Sequence, residues 1–283
     1  MAIRLVVDSG SDLGLERANQ MGITLVPLHV SFGTAHYRDG VDLSCRAFFE
    51  KLIETDGLPV TSQVSPYTFE QVFQEQTEQG NTVIAITISS KLSGTYQSAC
   101  IAAERFPGQV FVVDSMNVSL GTTILVEYAQ RLLAQGMQAP AIVAELQQAR
   151  LRVRTLALLD TLEYLKKGGR ISGAVAFAGG LLAIKPVVGV VQGEVILVGK
   201  ARGSKNGNNL LAELVEKSGG VRFDLPYCLA YSGLDDGLLQ KYIDDSAALW
   251  RGHTDHLPVM PIGAAIGTHV GPGAIGVAFF SQN

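Results

Sequence analysis

TVIAITISSKLSGTYQSACIAAERFPGQVFVVDS, residues 82–115, reads as strand, loop, helix and strand. Residues 82–89 are an almost unbroken apolar run rich in β-branched side chains, which predicts a buried strand. A loop rich in hydroxyls, Ser89-Ser90-Lys91-Leu92-Ser93-Gly94-Thr95, then opens a helix, and residues 109–115 return to a strand. Strands joined in this way run parallel, with the helix as the crossover.

The pattern extends toward the N-terminus. IRLVVD (3–8) is a strand that ends at the turn SGSDLG, where Ser11 or Asp12 caps a helix. ITLVPLHVSF (23–32) reads as a second strand, with Pro27 at an edge or bulge. RDGVDL (38–43) is a turn opening a helix over 45–54, PVTSQVSP (59–66) is an extended loop, and TFEQVFQEQTEQG is a helix ended by Gly80. Further helices are expected over 119–135 and 138–150. The first half thus alternates strand and helix, which predicts a parallel sheet covered on both faces.

Beyond residue 150 the pattern changes. TLALLDTLEYLKKGGRIS (155–172) reads as helix-like, and the small-residue segment 173–184 follows it. Two strands flank a turn at Gln192-Gly193, a hairpin signal. A helix at 207–218, a strand at 227–232, a helix at 235–250 and a hairpin-like pair at 258–269 and 274–280 complete the chain. The expected fold is α/β with two domains. An N-terminal Rossmann-like α/β/α domain with a parallel sheet covers 1–153, and a C-terminal α/β domain with a mixed sheet covers 154–283.

Composition narrows the function classes. The chain has 283 residues, 47% apolar and 17% charged, so it is globular and not disordered. Its net charge of −4 argues against nucleic-acid binding by the whole chain. The charge is uneven, since residues 151–205 hold 9 Lys/Arg against 3 Asp/Glu. That segment is either a docking face for something anionic or a solvated helix face, and charge alone favours neither. Cys45, Cys100 and Cys228 are widely spaced and read as reduced thiols. No secretory leader and no membrane-length apolar run is visible, so a cytoplasmic protein is expected.

Catalytic signatures are mostly missing. There is no G-x-S-x-G elbow and no Walker A lysine motif. GPGAIG (271–276) fits G-x-G-x-x-G but lies too close to the C-terminus for a βαβ unit. His253 and His256 sit in a loop, RGHTDHLP, that reads as solvated, so no metal site is expected. What remains is a set of hydroxyl-rich loops at 8–13, 59–66, 89–95 and 114–121. Hydroxyls and backbone N–H groups at helix N-termini suit a carboxylate or phosphate, although each loop alone is better read as a helix cap. His269, expected at a turn after a strand, is a further candidate for holding a carboxylate. The apolar segment 173–191 mixes small and branched residues and is a candidate tunnel wall.

Nine motifs, in order and at matching spacing, resemble the DegV family of fatty-acid-binding proteins. They are VVDSGSDL (6–13), YRDGVDL (37–43), PVTSQVSPYTF (59–69), ISSKLSGTYQSA (88–99), VVDSMNVSLG (112–121), LEYLKKGGRIS (162–172), IKPVVGV (184–190), GKARGSKN (199–206) and IGTHVGPGAIGVAF (266–279). Gly10 and Thr122 depart from the family's usual residues. The resemblance implies a fatty acid held between two domains, with its carboxylate near Thr61, Ser62, Ser93, Gly94 and His269. It places the tail against a pocket that includes Ala174, Ala176, Phe177, Leu181 and Ile184. It also implies a non-catalytic carrier without a cofactor, serving a separate, dihydroxyacetone-kinase-like fatty acid kinase that docks on Arg170 and Arg202. Two other readings stay open: an acyl esterase with Ser93 as nucleophile and His269 as base, and a phosphate or sugar-phosphate binder.

Overall fold

The computed structural model describes residues 2–172 and 183–282. In its first half the strands are β1 (Ile3–Asp8), β2 (Thr24–Val26), β3 (His29–Phe32), β4 (Ala35–Arg38), β5 (Val60–Ser62), β6 (Thr82–Thr87) and β7 (Val110–Asp114). The helices there are α1 (Leu15–Gln20), α2 (Cys45–Glu54), α3 (Pro66–Glu78), α4 (Thr95–Ala103), α5 (Leu120–Ala134) and α6 (Ala139–Ala149). The second half holds β8 (Val153–Leu158), β9 (Ile184–Val191), β10 (Glu194–Arg202), β11 (Tyr227–Tyr231), β12 (Val259–Pro261) and β13 (Ile275–Phe280). Its helices are α7 (Glu163–Lys167), α8 (Ser204–Lys217), α9 (Gly237–Asp245), α10 (Ala247–Trp250) and α11 (Ala264–Val270).

The fold is α/β, with an N-terminal parallel sheet and a C-terminal mixed one. The parallel sheet has the order β2-β1-β6-β7. The mixed sheet has the order β10-β9-β8-β13-β11-β12, antiparallel except for β11 beside β12. Gln192 and Gly193 join β9 to β10 as the expected two-residue hairpin turn.

Four stretches differ from the sequence reading. The run 23–32 is two strands, because Pro27 has no N–H to continue a ladder and the chain leaves the parallel sheet there. Its second part, β3, joins β4 and β5 in a small antiparallel sheet, so 59–66 is partly strand rather than loop. TLALLDTLEYLKKGGRIS is not one helix: Thr155–Leu158 belong to β8, and only Glu163–Lys167 are helical. An apolar run of that length fits either state, and pairing with β13 and β9 decides it. Residues 258–269 do not form a hairpin arm either. They hold the short strand β12 and the helix α11, which places His269 in the last turn of a helix and not after a strand. Gly267 lets this helix lie directly on the aromatic pair of α2, since a Cβ there would come within 2.6 Å of Phe48 Cε1.

Helix α5 joins the two halves. Every residue from Leu120 to Val126 is buried. Its side chains share one core with Leu5, Val7, Ile84 and Ile86 of the parallel sheet and with Cys228, Ala230, Ala278 and Phe280 of the mixed sheet. A helix apolar on all sides needs cover on all sides. Among the described residues no helix is long and apolar enough to cross a membrane.

Truncating Ile124, fully buried in that shared core, leaves a cavity facing both sheets. Ile124→Ala is expected to lower stability by about 2–5 kcal/mol. In urea, the fluorescence of Trp250, which packs in the second half, should shift its midpoint together with the far-UV circular dichroism. A shift in one signal alone would show the halves unfolding separately.

Candidate functional site

A cavity of about 300 Å³ lies between the loops of the first half and the elements of the second. Thr61, Ser62, Ser93, Gly94 and His269 all line it, as do Gln63, Leu92 and Arg170. Its apolar wall includes Leu28, Ile88, Val118, Leu165, Val195, Ile266 and Val270. Five of these, Val118, Leu165, Val195, Ile266 and Val270, also line a smaller space of about 60 Å³. That space runs on against Leu156 and Ala157 of β8, Val188, Gly189 and Val190 of β9, and Gly276 of β13. The opening is therefore polar at the loop end and apolar toward the mixed sheet.

The polar groups arrive from three places in the chain. Thr61 and Ser62 end β5, whose pairing with β3 fixes their direction. Ser93 and Gly94 precede α4, where unpaired N–H groups and the helix dipole favour an anion. Ser93 Oγ pairs with Thr95 Oγ1 at 2.9 Å and accepts from Thr95 N at 3.3 Å. A Cβ on Gly94 would overlap the end of the Gln63 side chain and displace its amide, which donates to Ser98 Oγ at 3.0 Å.

His269 Nε2 stands 2.9 Å from Thr61 Oγ1. Its Nδ1 is buried without a hydrogen-bond partner. An orphaned acceptor is tolerated better than an orphaned donor, so the ring is best protonated on Nε2, donating to Thr61. The Thr61 hydroxyl hydrogen is then free to donate to an anion in the cavity. Burial, aided by the nearby Arg170 guanidinium, pushes the His269 pKa down to about 4. The imidazole is therefore neutral in neutral solution.

Of the four candidate loops, 8–13 does not line this cavity, and 114–121 reaches it only through Val118. The carboxylates of Asp8 and Asp12 at the turn after β1, and of Asp39 just after β4, are buried and accept from internal donors. Ser119 Oγ donates to Asp12 Oδ2 at 2.5 Å, and Ser115 Oγ donates to Asn117 O at 3.1 Å. In both loops the polar groups bond inside the fold, yet neither supplies a side-chain cap to the following helix: the N-cap residues of α1 and α5 are Gly14 and Ser119, without a side-chain cap bond, so the expected Ser11 or Asp12 cap is absent. Burial raises all three carboxyls, Asp8 to about 7, Asp39 to about 6 and Asp12 well above the usual range, while their N–H and hydroxyl donors oppose the shift.

The remaining assignments fall as follows. Arg170, assigned by resemblance to a docking face, lies in the cavity wall and donates to Leu92 O at 3.2 Å and Gly168 O at 2.7 Å. Arg202 is exposed at the end of β10. Ile184 pairs with Arg202 at the start of β9 and does not line the cavity. Ala174, Ala176, Phe177 and Leu181 lie outside the described residues. Among the described residues no group of three or more His, Cys, Asp or Glu is placed to hold a metal. Sequence reasoning missed Gln63, Ile88 and Val118. The available signal was an apolar residue inside a polar loop, as with Val118 between Asn117 and Ser119.

The chain is similar in sequence and fold to known proteins. The DegV family model, described as "Uncharacterised protein, DegV family", matches residues 2–282. A DegV domain-containing protein of Deinococcus radiodurans is 38% identical over 282 residues, covering 98% of each chain. A DegV family protein from Thermus thermophilus, whose structure is described under fatty acid binding, gives a TM-score of 0.89 at 37% identity over 100% of both chains. A stearic acid-binding protein from Eubacterium ventriosum gives 0.88 at 27% identity, over 100% of this chain and 99% of that one.

The His269 environment has a consequence for pH. The unfolded chain takes up a proton near the ordinary value of 6.5, while the folded ring resists it until about pH 4. The residue's contribution to stability is thus present above about 6.5 and is lost as pH falls through that window. We expect the His269 ring resonances to stay constant from pH 8 to 5.5 and to titrate near pH 4. A midpoint near 6.5 would contradict the buried, neutral assignment.

Proposed function

Because the chain belongs to the DegV family, we propose that it binds one long-chain fatty acid between its two sheets. The carboxylate sits on Thr61, Ser62, Ser93, Gly94 and His269, and the tail enters the apolar extension beside β8 and β9. The observation that carries this reading is a cavity with hydroxyls and a neutral histidine at one end, adjoining through five shared residues a smaller space with mostly apolar walls. Such a shape fits an amphiphile with a small polar head. The fatty-acid-binding relatives from Thermus thermophilus and Eubacterium ventriosum support it.

Each buried CH₂ contributes roughly 0.8 kcal/mol, so the tail supplies the affinity. The head contacts then supply orientation. A carboxylate held by neutral donors keeps a reactive oxygen, which suits a carrier presenting the acid to a dihydroxyacetone-kinase-like fatty acid kinase. Arg202, exposed in the basic segment, is placed on the docking face in this proposal, with Arg170 at the cavity mouth.

The esterase reading has less support. Ser93 Oγ pairs with Thr95, His269 pairs with Thr61, and no carboxylate meets His269 Nδ1. A serine nucleophile needs a base and an orienting group. A phosphate binder would leave the apolar extension without a use.

Lipid extraction and mass spectrometry of the purified protein should find an acid of roughly fourteen to eighteen carbons. Protein that is empty and also ignores added acid would sink the proposal. Thr61→Val should weaken binding about 10- to 100-fold by removing a hydrogen bond to a charged group. Arg202→Glu should leave acid affinity intact and abolish phosphorylation of the bound acid by the kinase. Equal phosphorylation of both proteins would remove Arg202 from the docking face.

A further inference from the structure

We propose that Asp12 and Asp39 are positioning residues for the head-group site: by seating the N-terminus of α11 they set where His269 stands at its other end. Neither carboxylate lines the cavity at Thr61 and Ser93. Each instead accepts a backbone N–H at the start of α11. Gly263 N donates to Asp12 Oδ1 at 2.9 Å, and Ala264 N donates to Asp39 Oδ1 at 2.9 Å. The first N–H groups of a helix have no partner within it, and a local side chain usually caps them. Gly263 has no side chain to do so, and the acceptors come from loops 251 and 225 residues away.

The carboxylates are themselves held. Ser119 Oγ donates to the second oxygen of Asp12 at 2.5 Å. Ser9 Oγ donates to the second oxygen of Asp39 at 2.8 Å and accepts from Leu28 N at 3.0 Å. The hydroxyl loops after β1 and before α5 therefore act on the site through α11. A carboxyl oxygen accepts an N–H in either protonation state, and any negative charge it carries at a helix start is favoured by the dipole.

Helix α11 has seven residues, so it is about 10 Å long. Its middle rests on α2 through Gly267. Its last turn carries His269, 2.9 Å from Thr61 Oγ1. A short helix clamped at one end and seated at its middle has its other end fixed. Releasing the clamp turns the helix about Gly267 and carries the imidazole away from Thr61.

The test separates positioning from general stability. Hexadecanoic acid and hexadecan-1-ol share a tail and differ in the head, so the ratio of their affinities reports head recognition alone. In Asp39→Ala the His269 ring resonances should move, and the acid-over-alcohol ratio should fall about 10-fold with alcohol affinity little changed. Asp39→Asn keeps a carbonyl oxygen for Ala264 N–H and should restore most of both. A cap with a merely structural role would lower the melting temperature and leave resonances and ratio alone, and that result overturns the proposal. If Asp39→Ala does not fold, Ser9→Ala is read in the same way: smaller changes in the same direction support the proposal, and none overturns it. The ratio rests on the fatty-acid reading, whereas the resonances do not. If wild-type protein binds neither probe, the fatty-acid reading fails, and the resonances alone decide whether Asp39 places His269.

Discussion

Helix α5 has no face that tolerates water at its N-terminal end, and the arrangement of both halves follows from covering it. Residues Leu120 to Val126 are buried in succession, against the parallel sheet on one side and the mixed sheet on the other. A two-sheet protein whose sheets each closed over their own helices would have a polar seam between them. Here the seam is apolar because one helix belongs to both. The cavity opens where that shared helix begins, and Val118, Ser119 and Leu120 lie along its apolar extension. An apolar opening between sheets therefore arises from the same constraint that joins the halves.

Around that opening the polar groups divide into two kinds. Those deep in the loops are bonded to one another, as with Ser9 and Asp39 or Thr155 and Asn117. A buried polar group without a partner destabilises by about 1–3 kcal/mol, so such networks tend to be complete. Those at the rim, Thr61, Ser62 and Ser93, have bonding capacity to spare. His269 belongs between the two kinds, with one nitrogen on Thr61 and the other buried and unpaired. The site is thus marked less by the presence of hydroxyls than by which hydroxyls the fold leaves incompletely bonded.

This division explains what the sequence revealed and what it hid. The βαβ reading of 82–115 held because the strands are continuous apolar runs bounded by clear loops. Thr155–Leu158 resisted reading because an apolar run of that kind suits helix or strand, and only β13 and β9 on either side decide it. Helix α11 resisted for another reason. Gly263, Gly267 and two prolines in 258–267 argue against a helix locally. Docking on Phe48 and Phe49 and distant caps from Asp12 and Asp39 override that propensity. Thr61, Ser93 and His269 could be named from motif resemblance. That the Asp8–Asp12 loop faces inward could not, because a serine bonded inside the fold and a ligand-binding serine look alike in sequence.

The Thr61–His269 pair also forms a partition. On one side lies the cavity with its apolar extension. On the other lies a separate, more polar cleft of about 550 Å³, whose walls include Thr61, His269, Arg170, Lys167, Glu163 and Asp56. An acid seated as proposed would have its tail out of water and its carboxylate at the boundary between these spaces. Chemistry at the head would then not require the tail to leave, and the large apolar contribution to affinity would persist through the reaction. Salt bridging the head to a fully charged partner would strengthen binding further but would draw charge away from the oxygen that must react. Neutral hydroxyls and a neutral imidazole, with Arg170 donating to Leu92 O and Gly168 O, would avoid that conflict. Under that proposal they would give direction to a carboxylate whose affinity is set by the tail, which is the combination a carrier needs.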